Sequence, residues 1–140
     1  MIPYAYATRL VLRCTSLAAG YDCPGLPLCN QPSRPIVAWV KYGPNVTIAE
    51  ALTQDYVARF LIANSAAGVM VRVPRVYVAF SRETSDPNWA IGYIVMQYID
   101  APDCGEGDHQ PVATAVQTLI GIKGPSSAPG PIGGGRASHQ

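Results

Sequence analysis

Charged residues are scarce in this sequence, and the basic ones do not cluster. Lysine and arginine together number 10 of 140 residues, acidic residues number 9, and the net charge is +1. Nucleic-acid binding needs a patch of positive charge, so we expect no nucleic-acid partner. Charged residues make up only 14% of the chain and apolar residues 49%. This balance favours one folded domain over a disordered chain.

Long apolar runs are also lacking. A bilayer-spanning helix needs about 20 consecutive, mostly apolar residues, and no such stretch occurs. Near the N-terminus, Arg13 interrupts a short apolar segment, Leu10 to Leu12. Because a secretory signal needs an unbroken apolar core, we expect neither a signal nor a membrane partner, and a cytoplasmic location.

The cysteines lack the close pairing typical of zinc sites, since they occur as Cys14, Cys23, Cys29 and Cys104. The two histidines, His109 and His139, lie far from the first three cysteines in the sequence. We therefore expect no metal site. A bridge between Cys23 and Cys29 would close a small loop, but we favour free thiols in a reducing compartment. No Ser/His/Asp arrangement or pair of catalytic carboxylates is visible either.

Four segments follow from the distribution of proline, glycine and apolar residues. Residues 1–35 are rich in proline and glycine, and the spacing of Pro24, Pro27, Pro32 and Pro35 predicts that residues 20–35 form a loop. Residues 36–100 read as a compact lobe, 101–123 as a connector followed by a helix, and 124–140 as an irregular tail.

Within the lobe, residues 36–41 alternate on a strand period, with Trp39 and Lys41 on one face. A helix over about 48–62 is predicted by Thr47 at the N-cap and Glu50 three residues later, the pattern of a capping box. Its apolar residues recur at helical spacing and predict a buried stripe of Leu52, Tyr56, Val57, Phe60 and Leu61.

Two further strands are predicted after this helix. Residues 74–80 form the second strand region, and Pro74 marks an edge or a strand start. Residues 91–99 are dense in β-branched and aromatic side chains, as is typical of a strand. Near the C-terminus, Asp108 is expected to cap a helix over about 111–122, whose first turn tolerates Pro111. The expected fold class is therefore α+β.

Lys41 and Glu50 are the residues on which a functional interpretation rests. In phosphotransferases a strand lysine contacts the nucleotide phosphates, and a helix glutamate holds that lysine by an ion pair. A second interpretation stays open, in which Lys41 is a solvated residue at a strand end and Glu50 serves only the helix cap. The apolar strand that runs into Gln97-Tyr98-Ile99 adds a candidate hinge whose backbone would face an adenine.

These motifs together resemble the small lobe of fungal aminoglycoside phosphotransferase-like, protein kinase-like proteins. The resemblance rests on Val40-Lys41-Tyr42-Gly43, Glu50-Ala51, Tyr56-Val57, Val73-Pro74-Arg75-Val76-Tyr77, Ala79-Phe80 and residues 92–100. It implies a twisted antiparallel sheet with one packed helix. It also implies a nucleotide site of the following residues: Lys41 as the phosphate-binding lysine, Glu50 as its partner, Met96 at the back of the adenine pocket, and Gln97 and Ile99 as backbone contacts.

The sequence departs from that family in several places. No glycine-rich loop precedes Lys41, and Trp39 stands where an adenine needs a small neighbour. Gln97 begins the hinge, where the family often has glutamate. The catalytic H-x-D…N loop and the metal-binding D-F-G-type aspartate do not occur in these 140 residues.

We therefore expect a truncated phosphotransferase small lobe with at most weak ATP binding. It would not hold Mg²⁺ alone and would have little or no catalysis, since positioning, metal ions and a base supply most of the rate enhancement. We also expect an exposed apolar surface that could support self-association. The alternative is a small α+β binding or interaction module without a nucleotide site, secreted, with Cys23 and Cys29 bridged and Asn45 glycosylated.

Overall fold

The computed structural model describes residues 25–29, 35–64, 71–84, 90–102, 104–127 and 130–133. Over these residues it is an α+β domain with a four-stranded antiparallel sheet and two helices. The elements are β1 (Leu26–Cys29), β2 (Ile36–Gly43), α1 (Ile48–Ala63), β3 (Val76–Glu83), β4 (Ala90–Gln97) and α2 (His109–Ile120). The predicted fold class is therefore confirmed.

The sheet order is β1-β2-β4-β3, which places β2 and β4 in the interior. In the central pair Lys41 lies opposite Ile94, and Trp39 lies opposite Met96. β3 is an edge strand, as Pro74 just before it predicts, because a proline cannot donate to an inner ladder.

β1 corrects the prediction that residues 20–35 form only a loop. Leu26–Cys29 pairs with β2, so the sheet begins ten residues before the predicted lobe boundary at Ile36. Pro27 lies opposite Trp39. A proline is tolerated there because β1 is an edge strand, whose outward N–H positions need no partner strand.

The sheet carries apolar side chains on both faces. One face has the buried residues Ala38, Val40, Tyr93 and Val95, and the other has Ile94 and Met96 packed with Val46 and Ala51. Val40 and Ile94 are completely buried. α1 packs on the second face, next to β3 and β4.

α1 begins where its cap predicts. The Glu50 N–H donates to the Thr47 hydroxyl at 3.0 Å, and the helix runs to Ala63, close to the predicted end. The predicted buried stripe is wrong in detail, however. Ala51 and Ala58 are the buried helix residues, whereas Leu52 is 46% exposed. These small side chains lie two turns apart and let the backbone of α1 approach the sheet closely. The larger apolar side chains of α1 lie at the flanks of the helix.

The predicted range for α2 was about 111–122. The observed helix begins and ends two residues earlier. Asp108 lies at the N-cap, but its side chain makes no capping bond to the helix. Its carboxylate instead accepts the Gly105 N–H at 2.8 Å. The apolar face of α2 is exposed, with Val112, Val116, Leu119 and Ile120 all accessible to solvent. An exposed apolar surface is thus present, as expected.

The segment after α2 runs back along α1. The Tyr56 hydroxyl donates to the Lys123 carbonyl at 2.8 Å, and the Ile132 N–H donates to the Thr53 hydroxyl at 3.0 Å. The described residues after Gly124 contain bends and turns but no helix or strand, as predicted.

Candidate functional site

Lys41 and Glu50 meet, as the resemblance predicts. Lys41 lies on β2, which is paired with a strand on each side, and Glu50 lies in the first turn of α1. The Lys41 ammonium donates to the Glu50 Oε1 atom. In a complete capping box the Glu50 carboxylate would turn back to the Thr47 N–H, and here it reaches across to the sheet instead. The interpretation of Glu50 as a cap partner alone is therefore insufficient.

The pair is partly open to water. The side chains are 43% and 35% exposed for Lys41 and Glu50. An exposed ion pair of this kind contributes about 0.2–1 kcal/mol to stability, so packing rather than this contact holds α1 on the sheet. A lysine ammonium has three N–H donors, and the contact to Glu50 uses one of them. Donors therefore remain that could bind an oxyanion such as a phosphate.

Met96 is buried on the same face of the sheet as Lys41, and residues of α1 contact it. It is 8% exposed and packs with Val46, Ala51 and Ile94. The Gln54 amide, one turn after Glu50, donates to the Pro74 carbonyl at 2.8 Å and lies 3.4 Å from the Met96 sulfur. Sequence reasoning missed Gln54. Its position four residues after Glu50, on the same side of the helix, was the only available signal.

Trp39 occupies space next to Met96. It lies opposite Met96 in the register, and its indole is stacked on the Tyr98 ring, with centroids 6.3 Å apart and 27° between the planes. An added Cβ at Gly25 would lie 2.3 Å from the Trp39 Nε1 atom, so a glycine is needed where the indole passes β1. A ligand that inserts an aromatic ring between β2 and residues 97–99 would have to displace this stack.

The candidate hinge begins at Gln97, the last residue of β4, and continues beyond the strand. The Gln97 N–H donates to the Arg75 carbonyl at 2.8 Å, so this N–H is already engaged and would have to leave Arg75 to reach an adenine. Ile99 lies outside any helix or strand and its side chain is 37% exposed. The structure thus places Met96, Gln97 and Ile99 in one continuous segment. This segment begins two residues after the β4 residue that lies opposite Lys41.

Other functional chemistry is limited in the part of the chain that the structure describes. There, no group of histidine, cysteine, aspartate and glutamate side chains could hold a metal ion. Neither described helix has both the length and the apolar character that a bilayer span requires. Cys29 and Cys104 are free and exposed, while Cys23 lies outside the described residues.

The chain matches no protein-family model, and no match was found among curated proteins or solved structures.

Proposed function

We propose that this chain is a kinase-like small lobe that binds a nucleotide weakly and does not transfer phosphate by itself. The contact between Lys41 and Glu50 is the observation that carries the proposal. It sets a cation on an interior strand and leaves it partly exposed, which is how a fixed positive charge is offered to phosphate oxygens. In this proposal the base would lie against the buried Met96 and the segment 97–99.

Two features argue for weak affinity. The sequence before Lys41 has no glycine-rich loop to cover the phosphates, and the indole of Trp39 is stacked on Tyr98 where a base would enter. Binding of an adenine would therefore require the stacked pair to separate. An aromatic pair of this kind contributes about 0.5–1.5 kcal/mol of stabilisation beyond that of its buried area. Separating the pair would make the binding free energy of the nucleotide less favourable by that amount.

The absence of phosphoryl transfer follows from the sequence. Transfer needs a residue that orients the nucleophile and a carboxylate that holds the metal ion. These 140 residues contain neither the H-x-D…N loop nor a D-F-G-type aspartate. The free thiols of Cys29 and Cys104 fit a reducing, cytoplasmic setting for such a lobe.

The test is a calorimetric titration of the full chain with Mg-ATP. We expect saturable binding in the wild type and at least a tenfold loss in Lys41→Met, because the phosphates lose their cation. Arg59→Met is the matched control, since Arg59 is paired with Asp55 on the exposed side of α1. Trp39→Ala should bind more tightly than the wild type, because the indole no longer has to move. Equal affinity of the wild type and Lys41→Met would refute the site.

The exposed side of α2 favours a second candidate, an interaction module without a nucleotide site. Its four exposed apolar residues include Ile120, which is 77% exposed. This candidate predicts no calorimetric signal with Mg-ATP and concentration-dependent self-association in sedimentation. Ile120→Glu should abolish that association. If the module is secreted, mass measurement with and without reductant should also detect a bridge between Cys23 and Cys29.

A further inference from the structure

A cavity of about 610 Å³ lies below the second half of α1. It is bounded by three segments, namely residues 58–62 of α1, the stretch 71–75 before β3, and residues 97–100 after β4. Ligand pockets in proteins usually measure about 300–1,000 Å³, so the cavity is large enough for a small molecule. Lys41 and Glu50 do not line it, so it lies apart from the proposed phosphate contact, although the candidate hinge residues Gln97 and Ile99 border both.

The walls of the cavity are apolar and polar in about equal parts. Aliphatic side chains come from α1 and from the stretch before β3, and they include Leu61, Ile62, Val71 and Val73. Ala58 lies at its buried side and is 2% exposed. Tyr98 adds an aromatic wall, whose ring is held by its stacking on Trp39.

More positively charged than negatively charged side chains line the cavity. Arg72 and Arg75 line it together with one carboxylate, Asp100. Among the described residues the only ion pairs are those of Lys41 with Glu50 and of Arg59 with Asp55. Within the described part of the chain, neither guanidinium group is paired with a carboxylate, and both arginines are exposed to solvent. Guanidinium groups form paired hydrogen bonds with carboxylates and phosphates, so this arrangement selects an anion.

The segment that carries the two arginines is held in place. It has no helix or strand, yet two of its carbonyl groups are anchored. The Pro74 carbonyl accepts the Gln54 amide and the Arg75 carbonyl accepts the Gln97 N–H, both at 2.8 Å. The backbone under Arg75 is therefore fixed to α1 and to the end of β4. A wall that is already ordered loses little entropy when a ligand binds.

We propose that this cavity binds a small amphipathic anion. The apolar part of the ligand lies against Leu61, Ile62 and the two valines, and its acidic group pairs with Arg72 and Arg75. A carboxylate and a phosphate monoester share the required chemistry. The proposal does not depend on nucleotide binding at Lys41.

Four naphthalene compounds provide the probe: 2-naphthoate, 2-naphthyl phosphate, 2-naphthalenemethanol and 2-naphthylmethylammonium. They share one apolar body and differ in the charged group. Titrated into the full wild-type chain and followed by calorimetry, at least one of the two anions should bind with Kd below about 1 mM. It should bind at least about tenfold more tightly than the alcohol, and the ammonium compound should bind most weakly. The stronger of the two anions identifies the acid group that the site prefers.

Matched variants locate the binding. Arg72→Gln combined with Arg75→Gln should weaken the anion at least about tenfold and leave the alcohol unchanged. The control is Arg59→Gln combined with Arg82→Gln, which removes the same net charge elsewhere on the surface. Lys41→Met should have no effect on the anion, whatever it does to Mg-ATP. The proposal is overturned if the wild type binds neither anion, if the ammonium compound binds as well as the anions, or if the control variant loses as much affinity as the cavity variant.

Discussion

Gly92, in the interior strand β4, is the residue whose replacement by alanine we expect to destabilise the domain most directly. An added Cβ would lie 1.8 Å from the Val46 carbonyl oxygen and 2.6 Å from the Val46 carbonyl carbon. Both atoms belong to the backbone, so no side-chain rotation can relieve the overlap. The turn between β2 and α1 would have to move away from the sheet.

The cost has two parts. Overpacking a well-packed site costs about 1–3 kcal/mol. Movement of the turn also displaces Thr47, whose hydroxyl accepts the Glu50 N–H at 3.0 Å, and loss of such a cap costs about 0.5–2 kcal/mol. We therefore expect Gly92→Ala to lower the free energy of unfolding by roughly 1.5–5 kcal/mol. That is a large fraction of the roughly 5–15 kcal/mol that holds a typical domain together.

Urea denaturation followed by circular dichroism measures this loss. Gly107→Ala is the control, because nothing lies within 4 Å of the added Cβ there. It should change the free energy of unfolding by less than about 0.5 kcal/mol. If Gly92→Ala were as stable as Gly107→Ala, the close approach between the turn and β4 would be wrong, and with it the position of α1 over Lys41.

Three other substitutions test separate parts of the fold. Thr47→Ala should cost about 1 kcal/mol in urea denaturation, whereas Thr47→Ser should cost much less because it keeps the capping hydroxyl. Val40→Ala should cost about 2–3 kcal/mol because Val40 is completely buried, and Val112→Ala, on the exposed side of α2, should be nearly neutral. Tyr56→Phe removes the hydrogen bond to Lys123, so trypsin should cleave after Lys123 faster than in the wild type; an unchanged cleavage rate would contradict this contact.

The parts of the fold that local signals encode could be predicted from the sequence. The strand period predicts β2, and the cap at Thr47 predicts the start of α1 to the residue. The contact between Lys41 and Glu50 was predicted from residue types and order, through resemblance to a family. The first two depend on a few neighbouring residues, which is why the local sequence is sufficient for them, whereas the contact depends on the resemblance.

The parts that depend on distant partners could not be predicted. β1 is stable only because β2 lies beside it, since Pro27 within it locally favours a loop. The buried side of α1 was assigned to its largest apolar residues, but close approach to the sheet selects Ala51 and Ala58. The cavity beside Arg72 likewise arises only when three separate segments come together.

The interior position of β2 and β4 has a consequence for how the molecule opens. An amide in an interior strand exchanges with deuterium only when its ladder separates, and the slowest amides report global unfolding. The strands that carry Lys41 and Met96 should therefore be the last to exchange, long after α2 with its exposed apolar side. The position of the Lys41 ammonium on the sheet would then persist through partial openings that leave the ladder between β2 and β4 intact.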